Sequence, residues 1–258
     1  MSGPLDEVVG GMAAISLEEM DARAALRRRV DTKYVVGREA LVDVVARAAD
    51  DYQVLEIDGR RAFSYESVYF DTPDLRCFAD HVNDVRPRFK SRSRLYRETG
   101  ARFFEVKVKD EDDTTSKRQR PYAPADHGRV TEEAWRFLDV TLRELAAQPA
   151  PEDLAATLAT RYRRATLAAR EGGERVTIDR EVAMESMDDR EVALRDDMAL
   201  VETKTDGDDG TFDAVLTSMR CEPTSISKYR LGVGLLVAPD PQSARLERLR
   251  RCFLARTD

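Results

Sequence analysis

A strictly alternating row of cations limits what this chain can fold into more than any other stretch of its sequence. The cations are Arg86, Arg88, Lys90, Arg92 and Arg94, separated by single non-basic residues. Alternate side chains of a β-strand lie on one face, so a strand here places all five charges side by side. Like charges at this spacing repel each other. The row therefore predicts a strand whose charged face meets a polyanion or is screened by water.

The following segment predicts a second strand that pairs with the first as a hairpin. Thr99-Gly100 is typical of a turn between two alternating segments. Beyond it, apolar and charged residues alternate again, in the order Phe104, Glu105, Val106, Lys107, Val108 and Lys109. The hairpin is expected to have one apolar face and one densely charged face.

The distribution of charge sets this segment apart from the rest of the chain. The net charge of the 258 residues is −7, which argues against a general nucleic-acid binder. Residues 86–109 contain nine Lys or Arg and two Asp or Glu, a local charge of +7, so the remainder has a charge of −14. A concentrated positive segment in an acidic protein indicates a defined anion site.

The cysteines and the apolar runs favour a cytoplasmic protein. Cys77, Cys221 and Cys252 are widely spaced and form no C-x-x-C pair, which is typical of a reducing compartment. The longest apolar run, residues 232–238, is far shorter than the ~20 residues of a membrane-spanning helix. We therefore expect no transmembrane segment in this chain.

The coarse pattern predicts an α+β fold of about eight mostly antiparallel strands with flanking helices. At least four strands oppose a charged face to an apolar face, which fits either a sheet open to water or a closed barrel with a charged tunnel. Residues 1–29 are expected to form a leader, mobile through residue 15, and a helix opened by the Ser16 and Glu19 capping box. Residues 30–258 are expected to form one domain, with a strand or loop over 225–237 and a closing helix over 245–254.

Two carboxylates interrupt the cationic pattern and allow two interpretations. Glu105 precedes Lys107 and Glu202 precedes Lys204, each pair on one face of a predicted strand. They either neutralise their neighbours or hold a divalent cation, which prefers oxygen ligands and often shares them with phosphates. His81 and His127 are the only histidines, so histidine-based chemistry has little support.

Eight blocks between residues 30 and 235 resemble, in order, the VTC domain, the polyphosphate polymerase domain of the vacuolar transporter chaperone complex, in its stand-alone bacterial form. The blocks are Asp31–Tyr34, Ser67–Pro73, Arg86–Arg94, Phe104–Lys107, Tyr162–Arg164, Arg175–Asp179, Val201–Lys204 and Ser227–Tyr229. The resemblance implies the triphosphate tunnel metalloenzyme fold, in which antiparallel strands close a tunnel lined with Arg, Lys and Glu.

The resemblance also implies roles for individual residues. The basic lining that grips phosphates would be Lys33, Arg92, Arg94, Lys107, Arg164, Arg175 and Lys228. Ser227 would contact phosphate through its hydroxyl, and Glu202 would hold Mn²⁺ or Mg²⁺. The charged face itself adds further candidates for substrate contact, which are Arg86, Arg88, Lys90, Glu105, Lys109 and Lys204.

The function implied is transfer of the ATP γ-phosphate to a growing inorganic polyphosphate chain. A metal-dependent triphosphatase and a non-catalytic polyphosphate-binding module are the alternatives, while the acidic remainder disfavours RNA binding. The resemblance implies ATP and polyphosphate as ligands, and whether the chain has a membrane-protein partner for translocation stays open. Reaction direction, preferred metal, product length and oligomeric state stay open.

Overall fold

The computed structural model describes residues 3–23, 30–206, 210–225, 227–238 and 243–256. In its first half the elements are α1 (Pro4–Gly11), β1 (Ala14–Ile15), α2 (Leu17–Arg23), β2 (Val30–Gly37), α3 (Arg38–Ala48), β3 (Tyr52–Leu55), β4 (Phe63–Asp71), α4 (Arg76–Val82), β5 (Arg88–Tyr96), β6 (Arg102–Lys109) and β7 (Thr115–Pro121). In its second half they are α5 (Glu132–Ala146), β8 (Ala155–Ala169), β9 (Arg175–Ser186), β10 (Glu191–Leu194), β11 (Met198–Thr205), α6 (Thr211–Ser218), α7 (Lys228–Leu236), α8 (Ser243–Arg250) and β12 (Phe253–Arg256).

The chain groups into two compact units, each discontinuous in sequence. The first unit comprises residues 1–63, 162–182 and 194–226, and the second comprises residues 64–161, 183–193 and 227–258. The long strands β8 and β9 each contribute residues to both units. The single domain expected over residues 30–258 stays a prediction.

The first unit packs α1 and α3 against the strands β2, β9 and β11. Leu41 and Val44 of α3 are fully buried in this core, beside Leu5 and Val9 of α1. Leu5 and Val9 lie four residues apart, so both face the core from one side of a helix. The mobile leader predicted through residue 15 is therefore wrong, because this short apolar stripe anchors α1.

The capping box predicted at the next helix is confirmed. Ser16 N donates to Glu19 Oε2 at 3.1 Å, and Glu19 N donates to Ser16 Oγ at 3.2 Å. These reciprocal bonds satisfy two amides that a helix start leaves without partners. Helix α2 follows, and the part of the prediction that extends to residue 28 lies outside the described residues.

The second unit is built on the predicted hairpin, which forms as β5 and β6. Phe104 and Val106 are fully buried on its apolar face. Leu138 and Leu142 of α5 belong to the same core, so α5 covers this face. Thr131 caps α5 by accepting a hydrogen bond from Ala134 N, as the sequence predicts. The charged face of the hairpin is thereby turned away from α5.

The predicted α+β class, with antiparallel strands and flanking helices, is confirmed, and the pairing among the described strands does not close into a ring. Hydrogen-bonded neighbours follow the order β12-β10-β9-β8-β4-β5-β6-β7, with β11 joining β9 to β2 and β3 joining β8 to β1. Of the described strands, twelve in all, β12 and β7 end the path. Edge strand β7 carries Lys117, Arg118 and Arg120, and such charges disfavour pairing with a further strand.

Two elements near the C-terminus differ from the sequence prediction. The strand or loop expected over residues 225–237 is largely helix α7, capped by the Ser227 side chain. Gly232 lets this helix approach β8 closely, since a Cβ there would lie 2.4 Å from Leu158 Cδ2. The closing helix expected over residues 245–254 is α8, which ends at Arg250 and is followed by β12.

Candidate functional site

A row of three lysines crosses the charged face of β5, β6 and β7. Lys90 lies opposite Lys107, and Lys107 lies opposite Lys117 on its other side. Residues opposite each other in an antiparallel pair share one face, where like charges destabilise the sheet. We call this surface, with Arg92, Arg94 and Glu105, the basic sheet face. The like charges lower the stability of the sheet and favour the binding of a polyanion.

Glu105 is the buried counter-charge of the basic sheet face. Its Oε2 lies 2.6 Å from Arg92 Nη2, its Oε1 lies 2.7 Å from Lys117 Nζ, and its side chain is only 3% exposed. Burial alone would raise the pKa of Glu105, but Arg92, Arg94 and Lys117 outweigh it and hold the pKa far below its ordinary value. This geometry makes Glu105 an anchor for cations, while the substrate contact expected from the sequence stays a prediction.

Strand β4 is the hydrogen-bonded neighbour of β5, and its side chains lie beside the two arginines on the same face. Arg92 Nη1 donates to Tyr69 Oη at 2.8 Å, and its guanidinium carbon lies 5.5 Å from the centre of that ring. Arg94 Nε donates to Ser67 Oγ at 3.3 Å, and its guanidinium carbon lies 5.4 Å from the centre of the Tyr65 ring. These contacts fix both guanidinium groups before any ligand binds.

The cations at the end of the β5–β6 hairpin, Arg86, Arg88 and Lys109, are paired with aspartates of the neighbouring turns. Arg88 Nη1 lies 3.0 Å from Asp84 Oδ1, while Arg86 Nε and Lys109 Nζ each lie 2.7 Å from Asp113 oxygens. Both aspartates are well exposed, so these pairs contribute little to stability. Arg86, Arg88 and Lys109 therefore form a rim beside the basic sheet face, in which two aspartates partly neutralise three cations.

Ser227 and Lys228 occupy the start of α7 in the second unit. Lys90 Nζ donates to Ser227 Oγ at 3.2 Å, and Ser227 Oγ also accepts from Arg230 N at the first turn of the helix. Lys228 is the first residue of the helix. A helix start presents amide hydrogens and a partial positive charge, and both favour an anion.

The lowered pKa of His81 in α4 reflects burial and the cations near it. Burial, together with the positive charges of Lys90, Arg230 and Lys107, lowers the pKa of His81 to about 3. A histidine with this pKa is neutral at physiological pH.

The first unit holds a second charged group, which we call the Glu202 cluster. Glu202 Oε1 lies 3.1 Å from Lys33 Nζ and 3.0 Å from Lys204 Nζ. Lys204 Nζ also lies 3.5 Å from Asp31 Oδ2, completing the cluster of Asp31, Lys33, Glu202 and Lys204. Burial raises the pKa of Glu202, but Lys204, Lys33 and Arg164 together bring it well below its ordinary value. Glu202 is therefore ionised throughout the physiological range.

Arg164 and Arg175 make different contacts in the same unit. Arg164 forks onto Asp179, with Nε 2.6 Å from Oδ1 and Nη2 2.8 Å from Oδ2. Arg175 lies opposite Lys204 in the strand register, and its Nη2 donates to Met20 O at 3.3 Å and to Asp21 Oδ1 at 3.1 Å. Helix α2 is thus a partner of Arg175 that the sequence did not indicate.

Among the described residues of this unit, Glu202 is the carboxylate that we examine as a ligand for the expected Mn²⁺ or Mg²⁺. Among the described residues no three His, Cys, Asp or Glu side chains group closely enough to hold a metal by themselves. Glu202 is 22% exposed and offers hard oxygen atoms. Magnesium commonly takes one or two carboxylates and completes its shell with water and substrate phosphates. Glu202 therefore fits a metal that arrives with phosphate, since the described residues offer no complete set of protein ligands around it.

Sequence reasoning assigned no role to several residues that the structure brings to the basic sheet face. Lys117 alternates with Arg118 along β7, so the alternation could have placed it on the charged side. Tyr65 and Tyr69 lie four residues apart in β4, so the alternation of a strand also places them on one face. Their contacts with Arg94 and Arg92 depend on strand register, which the sequence does not give.

Replacing Glu105 with glutamine should lower the free energy of unfolding by about 3 kcal/mol at pH 7, the low end for breaking a buried ion pair. Three cations would lose their shared counter-charge, although Lys117 is 40% exposed and stays partly solvated. The folded-state pKa lies below the ordinary value of 4.5, so this stability is present above pH 4.5 and is lost as pH falls toward the folded-state pKa. Urea unfolding of both proteins across this pH range measures the difference.

Glu144→Gln is the matched control for this prediction. Glu144 pairs with Arg118 on the opposite side of β7 and is 53% exposed. Its removal should change the free energy of unfolding by less than about 1 kcal/mol. Equal losses in the two variants would contradict the role of Glu105 as a buried counter-charge.

Fold and site together define an α+β protein whose antiparallel strands carry organised cationic clusters, one around Glu105 and one around Glu202. The family model of the VTC domain matches residues 28–237. The match covers most of the chain, and the chain belongs to this family. No curated protein matches the sequence.

The solved structures that match this chain share little sequence with it. A proposed adenylate cyclase from Vibrio parahaemolyticus is 14% identical, with 78% of this chain and 94% of that chain covered and a TM-score of 0.45. One from Bacillus halodurans is 13% identical, with 79% and 96% covered and a TM-score of 0.45. A proposed adenylyl cyclase from Hippeastrum, described as having a dominant triphosphatase activity, is 12% identical, with 83% and 98% covered and a TM-score of 0.49.

No helix in the described part of the chain has both the length and the apolar character that crossing a bilayer requires.

Proposed function

We propose that this chain synthesises inorganic polyphosphate by transferring the γ-phosphoryl group of ATP to the end of a growing chain. Membership of the VTC domain family supports a protein that acts on triphosphate or polyphosphate. The observation that carries the proposal is the row Lys90, Lys107 and Lys117, which sets like charges opposite one another across three strands. A polyphosphate chain, with a negative charge on every phosphate, relieves that repulsion.

The proposed reaction moves one phosphoryl group between oxygens. The bond between the γ-phosphorus and the β,γ-bridging oxygen breaks, and ADP leaves with that oxygen. A terminal oxygen of the polyphosphate chain forms the new bond to the same phosphorus. Such transfers need little covalent help from a protein, and most of the acceleration comes from positioning and from charge.

The cations divide between the two reactants in this proposal. Arg92, Arg94 and Lys107 hold the γ-phosphate of ATP, while Arg164, Arg175 and Lys228 align the terminal phosphate of the chain. Arginine suits these positions because it stays charged and forks onto two oxygens. Ser227 donates to phosphate, and the remaining cations that contact polyphosphate are Lys33, Arg86, Arg88, Lys90, Lys109 and Lys204.

Glu202 is the carboxylate proposed to hold Mn²⁺ or Mg²⁺. Bound there with phosphate, the ion would supply positive charge to the phosphate oxygens. Before the ion binds, Lys33 and Lys204 keep Glu202 ionised and oriented. The protein itself contributes a fixed anionic oxygen donor at this point.

Incubation of the chain with ATP and either Mn²⁺ or Mg²⁺ tests the proposal. We expect long polymer on a gel, a central-phosphate signal in the phosphorus NMR spectrum, and one ADP for each phosphate added. A reaction with the metal chelated is the control. Orthophosphate without polymer would instead indicate a triphosphatase. Tight binding of tripolyphosphate with no turnover would indicate a binding module, and either result would overturn the proposal.

A further inference from the structure

Asp71, at the end of β4, is a buried carboxylate that accepts hydrogen bonds from three backbone amides and from one phenol. It is 1% exposed. Its Oδ1 accepts from Thr72 N and Cys77 N, both at 2.8 Å, and its Oδ2 accepts from Phe78 N at 3.0 Å and from the Tyr229 hydroxyl. A buried carboxylate is costly unless it is fully hydrogen-bonded, and here three of the donors belong to α4 and its approach. The fourth comes from a different element.

That fourth donor ties down the start of α7. Tyr229 is the second residue of the helix, follows Lys228 directly, and is 1% exposed. Burial raises the pKa of Tyr229, and the Asp71 carboxylate raises it further, so the phenol keeps its proton and remains a donor. The helix start that carries Ser227 and Lys228 is thereby anchored to the end of β4.

The same tyrosine connects to the basic sheet face. The Tyr229 ring lies 5.2 Å from the Tyr69 ring, centre to centre, at 32°. Tyr69 accepts the hydrogen bond from Arg92, and Lys90 donates to Ser227. Asp71 therefore holds Tyr229, which lies two residues after Ser227 in the chain. Tyr229 in turn packs on Tyr69, the hydrogen-bond partner of Arg92.

Strand β4 provides these supports through one face. Tyr65, Ser67, Tyr69 and Asp71 are spaced by two residues, so they share a side of the strand. The first three contact Arg94 or Arg92, and the last contacts Tyr229. Rigid supports of this kind keep phosphate-binding groups within the small tolerance that transfer requires.

We propose that Asp71 and Tyr229 are positioning residues, which hold Ser227, Lys228 and Arg92 in one fixed arrangement for phosphate. The proposal rests on the proposed function for its effect on turnover, but its effect on phosphate binding is independent of it. A charged hydrogen bond removed from such a network typically lowers affinity about 10- to 100-fold.

Tyr229→Phe tests the proposal against Tyr122→Phe. Tyr122 is also buried in the second unit and donates from its hydroxyl, to Arg129 O at 2.7 Å, but it belongs to the core against α5. We expect Tyr229→Phe to weaken the binding of inorganic tripolyphosphate at least about 10-fold by calorimetry. Tyr122→Phe should stay within about 2-fold of the wild type. Polymer formation, normalised to folded protein, should fall by at least the same factor in Tyr229→Phe alone.

Tyr69→Phe keeps the test decisive if Tyr229→Phe does not fold. It retains the ring packed on Tyr229 and removes only the oxygen that holds Arg92, so it should weaken tripolyphosphate binding about 3- to 10-fold. Equal affinities in the Tyr229 and Tyr122 variants, or an unchanged affinity in the Tyr69 variant when the Tyr229 variant is unfolded, would overturn the positioning role. A wild type that binds tripolyphosphate without making polymer would overturn the proposed function alone, since the affinity comparison still holds.

Discussion

Replacing Arg94 with alanine should lower the rate of polyphosphate formation by about 100- to 1,000-fold, the loss typical of removing one preorganised charge from a transition state. The Arg94 side chain is 8% exposed, and its Nε lies 3.3 Å from Ser67 Oγ and 3.9 Å from Glu105 Oε2. These contacts fix the guanidinium before substrate binds, so little reorganisation is needed during transfer. Initial rates of polymer formation at saturating ATP measure the effect.

Arg97→Ala is the control for the loss of one positive charge near the same strand. Arg97 follows β5, is 59% exposed and pairs with Glu66, so its removal should change the rate less than about 3-fold. Arg94→Lys keeps the charge but loses the fork, and should recover only part of the activity. A normal rate in a folded Arg94→Ala protein would remove Arg94 from the proposed machinery.

Replacing Glu202 with glutamine should also lower turnover, by at least about 100-fold, if its carboxylate holds the metal. Glutamine preserves size and removes the charge that Lys33 and Lys204 now share. The opposite sign is expected for tripolyphosphate without metal, because removing an anion from a cationic cluster strengthens the binding of another anion. Rates with Mn²⁺ and metal-free affinities together separate a metal ligand from a mere neutralising group.

A direct count of bound metal makes this second test independent of activity. Electron paramagnetic resonance reports free Mn²⁺, and the wild type with tripolyphosphate should bind more of it than Glu202→Gln does. Glu66→Gln is the matched control, since Glu66 is 20% exposed and is also ion-paired with a cation. Equal Mn²⁺ binding in the wild type and Glu202→Gln would contradict the metal role, whatever happens to the rate.

The two carboxylates illustrate how one sequence pattern can give two environments. Glu105 and Glu202 each precede a lysine by two residues on a strand, so the sequence gives them the same two interpretations. Glu105 is 3% exposed and is surrounded by Arg92, Arg94 and Lys117, whereas Glu202 is 22% exposed beside two lysines. Burial and the number of cationic partners therefore favour a structural role for the first and a ligand role for the second.

Local patterns predicted much of the fold because they reflect local geometry. The alternation over residues 86–109 gave the hairpin β5 and β6, and Thr131 gave the start of α5. The sequence predictions were wrong where tertiary packing, and not the local residue pattern, decides the secondary structure. Residues 228–236 look like an apolar strand but form a helix, since Gly232 allows close contact with Leu158 and Ser227 caps the start.

The partners in the site could not be read from the chain alone. Tyr229 and Asp71 are 158 residues apart, and Lys117 reaches Glu105 only through the register of β7 with β6. A shift of one residue in that register would turn Lys117 to the other face of the sheet. No local pattern records such a choice.

By itself, the sequence determined that this chain has strands with one apolar and one strongly cationic face, because two-residue alternation has a single geometric meaning. It also determined the VTC family, through blocks spread along the chain. Only the tertiary structure decided which charges are neutralised, which are buried, and which aromatic rings hold the arginines. Those properties depend on distances between residues far apart in sequence and on burial, which together set the strength of an interaction between two charges.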